Sequence, residues 1–343
     1  MKTKHILLYL SAITIITLEI SCKGNSTSNA TLDGNWVTKS DFDGVARSEA
    51  VSFVVNDSAY ICTGYDGDVR LNDLWEYDAV KNYWIQKANF PGVARNSAVA
   101  FAASGRGYVG TGFDGVNKLK DMWAYDPAAN SWTQKADFGG SDPDHTAARY
   151  DAVAFAIADK GYISTGFNGN YLKDFWQYDP ETDSWTSVPG FGGSKRLGAV
   201  AFVHANKGYI VTGINNGIPV NDFWSFDPST SSWTQLRQIA NISTDSYDDN
   251  YADIIRSNAA AFVIGDKAYI TTGENGALLN STWEYDFAND LWTSKQAFEG
   301  AARTGAVGFS VSLGGYVATG RSSTLPFDDL RTFHPDEAYN AND

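Results

Sequence analysis

The chain has 343 residues, a formal charge of -14, 14% aromatic residues, 32 glycines and two cysteines. That charge excludes a nucleic-acid partner, which demands a basic footprint, and two cysteines exclude a disulfide framework. Many glycines and aromatics suit short strands and tight turns better than helices.

Residues 1–21 read as a targeting segment. Lys2, Lys4 and His5 precede the apolar run ILLYLSAITIITL (6–18), which suits a signal peptide and is short for a membrane span. Cys22 after Ser21 resembles a bacterial lipoprotein cleavage site, where the cysteine becomes the lipidated first residue. Glu19 departs from the leucine such sites usually carry. Residues 22–31 read as a polar tether. The expectation is an exported protein held to the membrane by an N-terminal lipid, at the outer membrane or cell surface, with the periplasmic leaflet as the alternative.

From residue 32 the chain repeats itself. RSEAVSF (47–53), RNSAVAF (95–101), RYDAVAF (149–155), RLGAVAF (196–202), RSNAAAF (256–262) and RTGAVGF (303–309) each lead to an aromatic run ending in Thr-Gly. A polar loop, a second aromatic run such as DLWEYD, a short turn and another Trp follow. The arginines are spaced 48, 54, 47, 60 and 47 residues apart. A unit of that period with four apolar runs predicts four antiparallel strands, a to d, with strand a running from Arg to Phe. Such sheets bury both faces only by radial stacking, which predicts an all-β, six-bladed β-propeller over residues 32–336, followed by a tail over 337–343.

The tryptophans test this count. Strand c holds Trp75, Trp123, Trp176, Trp224 and Trp283, and strand d holds Trp36, Trp84, Trp132, Trp185, Trp233 and Trp292, which are all 11 in the chain. The remaining strand-c position holds Arg331. Trp36 stands before the first complete repeat, and the last repeat lacks a strand d. The N-terminal GNWVT should therefore complete the last blade and close the ring.

The pattern resembles the Kelch repeat over nearly all of residues 32–336: the Arg opening strand a, the glycine closing strand b, turns such as YDPAANSW, and the strand-d Trp. Thr-Gly stands where Kelch repeats usually carry Gly-Gly. The resemblance implies a propeller without fixing a function.

The d–a and b–c connections share one face, and the long insertions 138–148 and 239–255 lie there, which marks the binding face. Arg47, Arg95, Arg149, Arg196, Arg256 and Arg303 should ring the channel mouth on that face. Each arginine either pairs with an Asp or carbonyl of the neighbouring blade, or holds carboxylate or hydroxyl groups of a ligand. The b–c loops add Asp66, Asp114, Asn168, Asn216 and Glu274, and the insertions add His145, Tyr247 and Tyr251, the tyrosines as sugar-contacting residues. Asp73, Asp121, Asp174 and Asp222, before the strand-c Trp, should cap the b–c loops through backbone N–H groups. Asp245, Asp248, Asp249 and Asp253 lack calcium-loop spacing, so no metal is assigned.

Kelch propellers include the copper-dependent galactose oxidase, but four scattered histidines cannot build its copper site. No cofactor is expected, and no triad, phosphate loop or zinc spacing occurs. The resemblance to the six-bladed sialic acid mutarotase implies an acid/base pair, for which Glu49, Asp151 and Glu274 are candidates. The expected function is a monomeric binding module for a carbohydrate, peptide or protein on the Arg-bearing face. A sugar-modifying enzyme of the mutarotase or epimerase type is the alternative.

Overall fold

Each repeat folds as four antiparallel strands of four or five residues, paired in the order a-b-c-d. The computed structural model describes residues 33–140, 147–241 and 251–343. The leader, Cys22, the tether, His145, Tyr247, Asp245, Asp248 and Asp249 lie outside those residues. Blade I comprises Val51–Val55, Ser58–Cys62, Leu74–Asp78 and Tyr83–Lys87. Blades II to V repeat this arrangement, with strand a at Val99–Ala103, Val153–Ile157, Val200–His204 and Ala260–Ile264.

Blade VI joins the chain's two ends. Val307–Val311, Gly314–Ala318 and Leu330–His334 form its strands a to c. Asn35–Thr38 pairs antiparallel with Leu330–His334 as strand d, Trp36 opposite Phe333. The six a strands then neighbour one another in a closed circle around the axis. The tail folds back onto the clasp, where the Asn340 N–H donates to Asn35 Oδ1 at 2.9 Å.

Packing between blades is aromatic. In blade I Phe53 of strand a stacks on Tyr60 of strand b at 5.0 Å, and Tyr125 of blade II reaches both rings. That approach needs room at the next blade: a Cβ at Gly107 would lie 2.1 Å from Phe53. This accounts for the Gly or Ala before the strand-b Tyr in every repeat. Outward, the strand-d indoles of blades II to IV donate to a carbonyl of the preceding blade, as Trp132 Nε1 does to Ala88 O at 2.8 Å.

Trp36 follows the same rule across the closure. It is fully buried, packs against Phe262, Phe298 and Phe333, and donates from Nε1 to Gln296 O of blade V at 3.1 Å. Trp36→Ala should cost about 3–5 kcal/mol in chemical denaturation, as truncation of a buried aromatic does. A midpoint equal to that of the unaltered chain would show that the clasp does not hold the ring.

Candidate functional site

The repeated arginines were expected at the channel mouth, in strand a. They lie instead four residues before it and are at most 1% exposed. In blade I the Arg47 Nε donates to Val45 O and Nη1 to Thr63 O, both at 2.9 Å. Its Nη1 and Nη2 form a bidentate pair with Asp73, at 2.5 and 2.8 Å. The guanidinium carbon lies 4.8 Å from the centre of the Phe42 ring. Arg95, Arg149 and Arg303 repeat this arrangement with Asp121, Asp174 and Asp329, over Phe90, Phe138 and Phe298. Arg196 pairs with Asp222 over Phe191.

These arginines are structural joints, paired within their own blade rather than with the neighbouring one. The aspartates expected to cap the b–c loops instead hold the guanidinium and, in blades I to III, the strand-c indole, as Trp75 Nε1 does to Asp73 Oδ2 at 2.7 Å. Burial raises the Asp73 carboxyl, but its bonds to Arg47 and Trp75 bring it below the ordinary range. Arg331, in the position of the missing Trp, lies 3.9 Å from Asp329.

Blade V breaks the pattern. Ile239 occupies the Phe position and Ser281 the Asp position. Arg256 donates to Thr272 O, Asp253 O, Ser281 O and Ser281 Oγ, and its Nε has no partner among the described residues. Burial lowers its pKa to about 10.

Beyond each arginine the chain turns sharply. Glu49, Ser97, Asp151, Gly198, Asn258 and Gly305, two residues after the arginines, all have φ between +50° and +66°. In this left-handed conformation each N–H donates to the equivalent carbonyl of the preceding blade. Ser97 bonds to Glu49, Asp151 to Ser97, Gly198 to Asp151, Asn258 to Gly198, Gly305 to Asn258 and Glu49 to Gly305, at 2.8–3.0 Å. Six main-chain bonds thus close a circle around the axis, and the residues of this circle line the mouth.

A cleft of about 490 Å³ opens beside the circle, over blades I, II, III and VI. Tyr65, Phe113 and Tyr150 give it aromatic lining; Phe113 lies 5.5 Å from Tyr150, and the file of rings continues past the cleft, Tyr150 5.7 Å from Phe167 and Phe167 5.2 Å from Tyr171. Arg70 sits between Tyr65 and Phe113, 5.0 and 5.2 Å from their centres, and donates from Nε to Asn96 Oδ1 at 2.7 Å. Asn96 in turn donates to Glu49 Oε2, which also accepts from Ser97 Oγ at 3.0 Å. Arg321 faces the other Glu49 oxygen at 3.7 Å.

Asp151 is the chemically unusual group. Burial, then the charge of Glu49, push its carboxyl up to about 7; Glu274 adds to this and a hydrogen bond from Ser97 opposes it. A carboxyl that retains its proton in part near neutrality thus lines the mouth.

The other predicted residues separate by role. Asp66 and Asp114 cap their loops: Asp66 Oδ1 accepts from Asp68 and Val69 N–H groups, and Asp114 Oδ1 from Val116 and Asn117. Asn168 Oδ1 accepts from Asn170 N at 3.0 Å. Asn216 is exposed at φ +50°, in the turn joining Ile214–Asn215 to Ile218–Pro219. Tyr251 was expected on a sugar-contacting rim but is buried, in the core with Ile239, Ile254 and Trp283. Glu274 lies at the mouth, accepting from Asn258 at 3.2 Å and Thr304 at 3.3 Å. Among the described residues, no group of three His, Cys, Asp or Glu side chains could hold a metal ion, and no helix is long and apolar enough to cross a membrane.

Arg70, Asn96, Tyr150 and Arg321 were not singled out from the sequence. Asn96 and Tyr150 occupy the first of two positions that vary between the fixed Arg and fixed Ala of each repeat. Arg321 follows Thr-Gly. Variation at fixed places within a constant repeat was the available signal.

All-β architecture, a closed ring of six blades and loops gathered at one axial mouth define a β-propeller. Residues 46–91, 148–192 and 195–238, which contain blades I, III and IV, match the Kelch motif, so these three blades carry Kelch repeats. No curated protein matches the chain. Among solved structures it is similar to the one described as "Structure of YjhT", at 16% identity and a TM-score of 0.69, covering 84% of this chain and 95% of that one. At that identity the likeness is one of fold.

Two measurements test the electrostatics. Ser281→Asp gives Arg256 the carboxylate its five counterparts have, and should stabilise the chain by about 1–3 kcal/mol in denaturant titrations. No gain would mean that the serine contacts already satisfy the cation. For Asp151, the folded chain keeps a proton that the unfolded chain releases, so stability falls as pH rises from the ordinary carboxylate range to about 7. Asp151→Asn should therefore raise the melting temperature at about pH 8 and leave it unchanged at about pH 3. An equal shift at both would exclude this titration.

Proposed function

We propose that the chain is a carbohydrate-binding module whose ligand lies in the cleft over the propeller axis. The observation that carries this reading is the aromatic lining of the cleft, Tyr65, Phe113 and Tyr150, beside the polar network of Arg70, Asn96, Glu49 and Arg321. Aromatic faces carry the negative side of a quadrupole and receive the polarised C–H face of a sugar ring. Carboxylate, amide and guanidinium groups alongside accept from and donate to its hydroxyls. The cleft volume of about 490 Å³ fits a small ligand. Side chains that vary on a constant frame are the usual basis of selectivity in a repeat fold.

A second reading, acid/base chemistry on a sugar, is favoured by the Asp151–Glu49 pair. A carboxyl poised at about 7 next to a second carboxyl suits proton transfer near neutrality. Under this reading Asp151 donates a proton to the ligand and Glu49 accepts one.

Tyr150→Ala and Glu49→Gln test the site. Each should weaken binding of a glycan identified by array screening about tenfold or more, with the circular dichroism spectrum unchanged. A glycan held equally by both variants, or a protein captured in place of any glycan, would overturn this assignment. Proton NMR of anomer exchange separates the two readings: acceleration that Asp151→Asn abolishes supports chemistry, and no acceleration leaves binding alone.

A further inference from the structure

Three hollows cross the loop face, and they adjoin one another. The cleft of about 490 Å³ shares Glu49, Ser97 and Asp151 with an axial depression of about 160 Å³. That depression shares Asn258 with a third hollow, of about 430 Å³, on blades IV and V. The third hollow is lined by Leu197, Ile214, Pro219, Glu274 and Asn275 among others. Each outer hollow by itself has the volume of a small-molecule site, roughly 300–1,000 Å³.

The circle between them carries little side-chain bulk. Gly198 and Gly305 supply no side chain to the circle at the axis, and Ser97 and Asn258 supply short polar ones. Groups able to bond hydroxyls continue along the whole path: Arg70, Asn96 and Glu49 at one end, Asp151 and Asn258 in the middle, Glu274 and Asn275 at the other. The two ends differ in kind. One is walled by aromatic rings, the other by aliphatic side chains.

We infer that this groove takes a linear oligosaccharide of several rings lying across the propeller axis, rather than a single sugar. The inference rests on the carbohydrate reading above. A single ring fills one outer hollow and leaves the axis and the opposite hollow to water. A chain places one ring on the aromatic file and another beside Glu274 and Asn275, with the link passing over Asp151 and Asn258.

Calorimetric titration of the full chain with linear gluco-, manno- and galacto-oligosaccharides of one, two, four and six rings tests this. In the series that binds, Kd should fall at least about tenfold between one ring and four. Asn275→Trp, on an exposed loop that borders the far hollow, should abolish that gain. Equal affinity at every length overturns the extended groove and leaves the carbohydrate reading standing. A length gain that survives Asn275→Trp overturns the path across the axis. Absence of binding at any length overturns both.

Discussion

A buried guanidinium at the root of each blade sets the level at which everything on the loop face stands. Its side chain joins three segments of its own blade: the d–a loop through a carbonyl and, in five blades, a Phe ring; the end of strand b through the Thr carbonyl; and the start of strand c, through an aspartate except in blade V. Its own carbonyl accepts from the Thr-Gly glycine of the preceding blade, as Arg95 O does from Gly64 N at 2.8 Å. The residue therefore ties its own loops together and ties blade to blade. Burying a charge is costly unless it is paired, which explains why Arg, Asp and Thr-Gly recur together in five of the six blades while the residues between them drift.

Closure rests on the same economy of contacts. The clasp Asn35–Thr38 supplies the last blade with what every other blade has from its own repeat, a ladder to strand c and a strand-d indole, and this indole, like those of blades II to IV, is anchored on the blade before. A propeller without it would expose the outer edge of Leu330–His334 and leave a hollow among Phe262, Phe298 and Phe333. Joining the two ends of the chain in one sheet makes blades I and VI depend on each other from opposite ends of the sequence.

The fold was legible because it is written six times. Repeat length, strand count and the stray Trp36 all pointed to one closed ring. The arginines were misplaced for a local reason: the Arg-to-Phe run reads as one strand, whereas the left-handed residue after Arg bends the chain and turns the guanidinium inward. Glu49, Asp151 and Glu274 were visible as carboxylates in equivalent or neighbouring positions. The aromatic file was not, because Phe113 comes from one repeat and Tyr150, Phe167 and Tyr171 from the next, and they meet only when blades II and III stand side by side. Tyr251 misled for the opposite reason: a polar, insertion-like stretch carries residues that belong to the core, Tyr251 beside Ile239 and Ile254.

The circle of six main-chain hydrogen bonds at the mouth has a consequence for how such a protein diversifies. Its bonds use only N–H and C=O groups, so Glu, Ser, Asp, Gly, Asn and Gly occupy equivalent places without altering the ring. The face proposed to meet a ligand can then be rewritten one side chain at a time, while the frame that positions it stays constant. Recognition and architecture are encoded in neighbouring letters of the same repeat, and a lineage can explore new ligands without first solving its folding problem again.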